Sequence, residues 1–133
     1  MEVLCRRRLR AMLQHVSVEI RRDQADACVA FWKLLGFEQM TPPPLLADNV
    51  TWVQRDGTQI HFLYAENPKA TDQGHGAVVV DDYEGTLSKL ADGGYEMYEG
   101  SNAWDAPRTF VRDPAGNLFE VMSKSPQPPW PGD

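Results

Sequence analysis

The sequence predicts an α+β domain made of two copies of one strand–helix–three-strand unit, and three observations predict it. First, residues 13–64 laid over residues 73–123 repeat, with His15 falling on His75 at the head of an apolar run and His61 on Glu120 near its end. The two separations are 46 and 45 residues. A half-length repeat of this kind marks two copies of one supersecondary unit. Second, each copy opens with period-2 alternation, passes into helical spacing, and returns to short strands. Third, the two helices exit through matching signals, Gly36-Phe37-Glu38 and Gly94-Tyr95-Glu96.

In the first copy, Leu13 to Ile20 alternates, with Val16, Val18 and Ile20 on one face and His15, Ser17 and Glu19 on the other, the signature of a half-buried strand. Asp23 is the expected N-cap of a helix carrying Cys28, Phe31, Trp32 and Leu35 at helical spacing, and Gly36 is its stop. Strands follow at Phe37 to Met40, at Asn49 to Arg55 and, across the Asp56-Gly57 turn signal, at Gln59 to Tyr64. Alternation in the last of these sends Gln59, His61 and Leu63 to one side.

After a polar linker, Ala65 to Gly74, the pattern restarts. His75 opens a strand running through Val80, and Tyr83, Leu87 and Leu90 form the stripe of a helix that stops at Gly93-Gly94. Arg108 to Arg112 and Leu118 to Met122 are the final strands, joined by a tight turn over Asp113 to Asn117. Antiparallel strands with helices on one face make the class α+β. Residues 1–11 and the Pro-rich 124–133 are expected to be tails flanking a single domain over 12–123, with modules at 12–66 and 73–123.

Composition narrows the partners. A chain of 133 residues is one domain by length, and 42% hydrophobic with 24% charged is ordinary for a globular protein. A net charge of −6 argues against nucleic acid, which needs a clustered positive surface. No apolar run approaches the ~20 residues that span a bilayer, and Cys5-Arg6-Arg7-Arg8 precedes no signal-like segment. Cys5 and Cys28 form neither a disulfide framework nor a zinc clip. The cytoplasm is the expected compartment.

A lone strand histidine is more often structural than a ligand. The repeat alters that weighing, because all three histidines and Glu120 occupy the two equivalent positions, away from the helix-covered layer. A buried Glu120 needs a cation or a donor beside it. One divalent metal would satisfy all four residues.

Leu13-Gln14-His15-Val16, Phe31-Trp32-Lys33-Leu34-Leu35-Gly36-Phe37 and Arg112-Asp113-Pro114-Ala115-Gly116-Asn117-Leu118-Phe119-Glu120 resemble the vicinal oxygen chelate superfamily. That group includes glyoxalase I, fosfomycin- and bleomycin-resistance proteins, methylmalonyl-CoA epimerase and extradiol dioxygenases. The resemblance covers roughly residues 12–123. It implies two βαβββ modules forming a cupped mixed sheet around a metal, with His15, His61, His75 and Glu120 as ligands. Its glyoxalase branch usually has glutamate where this chain has His61, and its dioxygenase and fosfomycin branches generally use three ligands. The cup can form within one chain or by module exchange across a homodimer, which would draw His15 and His61 from one subunit and His75 and Glu120 from the other.

The expected activity is that of a metal-dependent lyase or isomerase acting on a small oxygen-rich substrate. The ion is nickel, zinc, iron, manganese or cobalt, with no organic cofactor. Glu120, the only carboxylate of the set, is the candidate general base. Trp104 and Arg108 are candidates to cover the cup and grip an anionic group, and Trp52 and Gln59 to line it beside His61; Tyr98 is a further candidate wall. An extradiol-type dioxygenase and an antibiotic-binding protein without catalysis are the two alternatives.

Overall fold

The computed structural model describes residues 11–132; the expectation of an N-terminal tail falls almost wholly on residues outside that range, as does Cys5. Eight strands and two helices run in chain order: β1 (His15–Ile20), α1 (Ala25–Leu34), β2 (Glu38–Met40), β3 (Val50–Arg55), β4 (Thr58–Tyr64), β5 (Gly76–Val79), α2 (Tyr83–Asp92), β6 (Met97–Glu99), β7 (Arg108–Arg112) and β8 (Leu118–Met122). They form two four-stranded sheets with the same order, β1-β4-β3-β2 and β5-β8-β7-β6. The repeat is therefore structural. No helix among the described residues is long and apolar enough to cross a membrane.

The sheets are mixed rather than purely antiparallel, since β1 runs parallel to β4 and β5 parallel to β8 while the remaining pairs are antiparallel. A helical crossover between first and later strands allows parallel pairing, and tight turns give the antiparallel pairs. The β3–β4 turn is of the second kind: Asp56 and Gly57 both have positive φ, 50° and 86°, as a two-residue hairpin turn matched to the strand twist requires.

Helix α1 starts differently from the expectation. Asp23 lies inside a 3-10 turn, Arg22–Gln24, and Gln24 stands at the N-cap position. The Asp23 carboxylate is drawn to Arg21 Nε at 3.2 Å, while Gln24 Oε1 accepts from Arg21 N at 2.8 Å. In α2 the cap is Asp82, whose carboxylate accepts from Gly85 N at 3.0 Å. Gly36 ends the first helix at φ +89°, a conformation that glycine adopts without penalty.

A single core joins both modules. Ile20, Phe31, Trp32, Val53, Ile60 and Phe62 pack with Leu90, Val111, Phe119 and Val121. Trp32 meets Phe119 edge-on at 4.7 Å and Phe31 meets Tyr95 at 4.9 Å, so α1 of one module packs on groups of the other. Cys28 is buried there, and burial, then the nearby Asp113, push its thiol up to about 12. Asn117 Nδ2 donates to the Glu19 carbonyl at 3.2 Å and ties the last turn to β1. With one face of each sheet given to this core, the opposite faces carry the candidate site residues.

Candidate functional site

Strand pairing sets the first half of the site. In the antiparallel β3–β4 pair Trp52 stands directly across from His61, and in the parallel β1–β4 pair His15 stands across from Gln59. Side chains on one face of paired strands touch their direct and diagonal neighbours. His61 stacks on Trp52 with centroids 3.8 Å apart and planes 2° from parallel, and His15 stacks on the other side of His61 at 3.9 Å and 20°. Gln59 Oε1 lies 2.7 Å from His61 Nε2, and Gln14 Oε1 lies 2.7 Å from His15 Nδ1. His61 is only 7% exposed, and burial, then the charge of His15, hold its imidazole below the ordinary range.

The second half is built from the same positions with different chemistry. Glu120 stands across from Phe110 on β7, as His61 does from Trp52. Its side chain is 5% exposed, and both carboxylate oxygens are engaged. His75 Nε2 lies 3.1 Å from Oε1, and Arg108 Nη1 donates to Oε2 at 3.2 Å. Two donors meet the requirement that burial imposes on this carboxylate. His75 Nδ1 is held by the Gln73 carbonyl at 2.7 Å, and its ring meets Phe110 edge-on at 5.0 Å.

Arg108 is committed to the protein. Besides Glu120 it bonds Ser101, donating from Nε to the carbonyl at 3.1 Å and from Nη2 to Oγ at 2.8 Å, and it lies over the Trp104 ring at 4.5 Å. Trp104 thus covers Arg108, and Tyr98, across from Phe110, is half exposed. Phe110, Ser101, Gln14 and Gln73 belong to the site although sequence reasoning did not name them as site residues. The register would have revealed Phe110, because it is the equivalent of Trp52 in the repeat.

The four candidate ligands come together as two pairs, one per module; among the described residues no three His, Cys, Asp or Glu side chains gather closely enough to hold an ion. The pairs fit a metal unequally. A nitrogen and an oxygen 3.1 Å apart are spaced as two neighbouring donors on one ion with bonds of about 2.1 Å. His15 and His61 are not so placed. A metal lies in the plane of each imidazole that binds it, and planes tilted by 20° with centroids 3.9 Å apart meet roughly 10 Å from the rings, far beyond a bond of about 2 Å.

Between the modules a cavity of about 330 Å³ is lined by Ser17, Glu19, Lys69, His75 and Asn117 among others. Among the described residues its lining takes in His75 but not His15, His61 or Glu120.

Known proteins share this architecture. The family model of the glyoxalase-like domain matches residues 17–122. A putative glyoxalase family protein from Bacillus anthracis superposes with a TM-score of 0.77 at 24% identity, over 85% of this chain and 94% of its own. A lactoylglutathione lyase from Agrobacterium tumefaciens gives 0.63 at 19% identity, over 86% and 95%. The oxidase ChaP-H2 gives 0.70 at 16%, over 88% and 96%. No curated protein matches the chain. With matching modules, a family model that spans both of them and neighbours of the same fold, the chain belongs to the glyoxalase-like domain family, within the vicinal oxygen chelate superfamily.

Proposed function

We propose that this protein is a metal-dependent lyase or isomerase of the glyoxalase type, acting on a small substrate with two neighbouring oxygens. The observation that carries the reading is the His75–Glu120 pair: Nε2 and Oε1 stand 3.1 Å apart while the Gln73 carbonyl holds Nδ1. A second group on the far ring nitrogen is the usual support of a metal-binding histidine. His15 has the same arrangement, with Nδ1 held by Gln14 and Nε2 without a hydrogen-bond partner among the described residues. His15, His75 and Glu120 are thus the residues that would hold the ion. Nitrogen and oxygen donors of this mixture suit nickel, zinc, iron, manganese or cobalt. A divalent ion there supplies Lewis acidity that polarises a carbonyl and stabilises the enolate or oxyanion beside it.

Around that centre the chain supplies the proton handling. Glu120 is the general base of this reading. Arg108 and His75 each engage one of its two oxygens and orient the carboxylate, which keeps further lone pairs to take a proton from carbon. Trp104 and Arg108 form the lid side, and Trp52 with Gln59 the opposite wall.

The donors are divided between modules, and we assign their union to a homodimer in which one subunit presents His15 and the other His75 and Glu120. Leu63, Val79 and Tyr98 are exposed on the faces away from the shared core, apolar surface that a partner would cover. Among the described residues the indole N–H groups of Trp52 on β3, Trp104 in the 100–107 loop and Trp32 in the core are buried without a hydrogen-bond partner.

Elemental analysis of the dialysed, tag-free protein beside His75→Ala tests the reading. About one equivalent of a first-row metal per chain, lost in the variant, is expected. Absence of metal from the parent, with none taken up on addition, would sink it. One observation favours a second reading, a cup that binds a drug without a metal: Arg108 already balances the Glu120 charge. A metal-free protein that binds bleomycin-class compounds would establish that alternative.

A further inference from the structure

We propose that His61 is a positioning residue: packed between Trp52 and His15, it fixes the His15 ring instead of donating to a metal itself. This rests on the metal-holding reading above.

Ring geometry separates the two histidines. Their stacked planes cannot share an ion, so at most one of them donates where they stand. His61 is the poorer donor on three counts. It is 7% exposed, whereas His15 is open to solvent. Its Nε2, the nitrogen with the longer reach, is turned to Gln59 Oε1 at 2.7 Å. And it lies 2° from parallel against Trp52, whose place across the β3–β4 ladder leaves little room to swing.

The other module supplies a control within the same chain. His75 occupies the position of His15 and has the same nitrogen, Nδ1, held, which turns Nε2 toward Glu120 Oε1 at 3.1 Å. Glu120 occupies the position of His61 but bonds to its histidine instead of stacking on it. One module therefore presents two donors, and the other one donor with an aromatic wall behind it. The wall matters because His15 is the first residue of an edge strand and would otherwise lose rotamer freedom on binding.

Cobalt(II) alone, titrated into the metal-stripped full chain and its His61→Phe, His61→Ala and His75→Ala variants, tests the assignment, with the metal-free samples also read by NMR of the histidine ring protons. Phenylalanine keeps a ring for His15 to stack on and removes both nitrogens. His61→Phe is expected to keep the parent's stoichiometry with affinity within about threefold, and His61→Ala to keep stoichiometry while weakening about tenfold, a usual effect of losing a supporting contact. His75→Ala loses the stoichiometry. Without metal, the His15 ring protons are expected upfield in the parent and in His61→Phe and at free-histidine positions in His61→Ala. If both His61 variants lose the ion as His75→Ala does, His61 is a ligand and the proposal is overturned. His15 protons at free positions in the parent overturn it as well. A parent that binds no cobalt but retains the His15 shift, lost only in His61→Ala, defeats the metal-holding reading and upholds the positioning role.

Discussion

Glu120 carries the largest local electrostatic demand of the site. Its side chain is 5% exposed and that of Arg108 15%, so the pair is largely removed from water. Deleting one partner of such a pair leaves the other charge buried, which typically costs more than the pair itself contributes. Arg108→Ala is therefore expected to lower stability by about 3 kcal/mol, read as a lower midpoint in urea with an unchanged slope. An effect below about 0.5 kcal/mol, the range of an ordinary surface substitution, would mean that His75 alone satisfies the carboxylate. For Arg108 the sequence offers a guanidinium near the last strand as a grip for an anionic substrate, and in the structure three of its donors go to Glu120 and Ser101. Type and position were visible in the sequence; its partners depend on the 100–107 loop, which carries no periodic pattern.

The elements divide by how local their causes are. β7 and β8 run as their alternation predicts, Arg108–Arg112 and Leu118–Met122, because a buried face and a polar face leave one register. The three-residue β6, Met97–Glu99, is too short to show a period and follows only from the repeat. Helix starts were less legible. Asp23 had the right residue type but a stronger local partner in Arg21, whereas Asp82 caps α2 through Gly85 N without having been singled out. Asp82→Ala is expected to cost about 1 kcal/mol, the usual value of a side-chain N-cap, seen as a lower thermal midpoint; Asp82→Asn, which keeps an acceptor, should recover most of it. An unchanged midpoint for alanine would show that water replaces the cap. The equivalence of the site residues was likewise legible, since the repeat sets His15 on His75 and His61 on Glu120; their proximity within each module follows from the β1–β4 and β5–β8 pairing. The Trp52 stack was not, because it depends on ring orientation, which spacing does not determine.

At the scale of the whole molecule, the shared core and the divided site pull in different directions. Trp32 and Phe119 lock the two modules of one chain together from the inside, while the candidate ligands lie on the faces that this core leaves uncovered, one pair to a module. If a second copy completes each site, defects in different modules must complement one another. His15→Ala and Glu120→Ala chains, each unable to bind metal alone, are unfolded together at equal concentration and refolded. In an exchanged dimer every mixed pair has one site with both defects and one with neither. Random pairing makes half of the dimers mixed, so about a quarter of all sites should recover metal. A site formed within a single chain recovers none at any mixing ratio, because each chain keeps its own defect. Recovery that appears only after joint refolding, and not after simple mixing, would further show that the dimer does not exchange subunits once formed, as expected when the partner covers apolar faces on both modules.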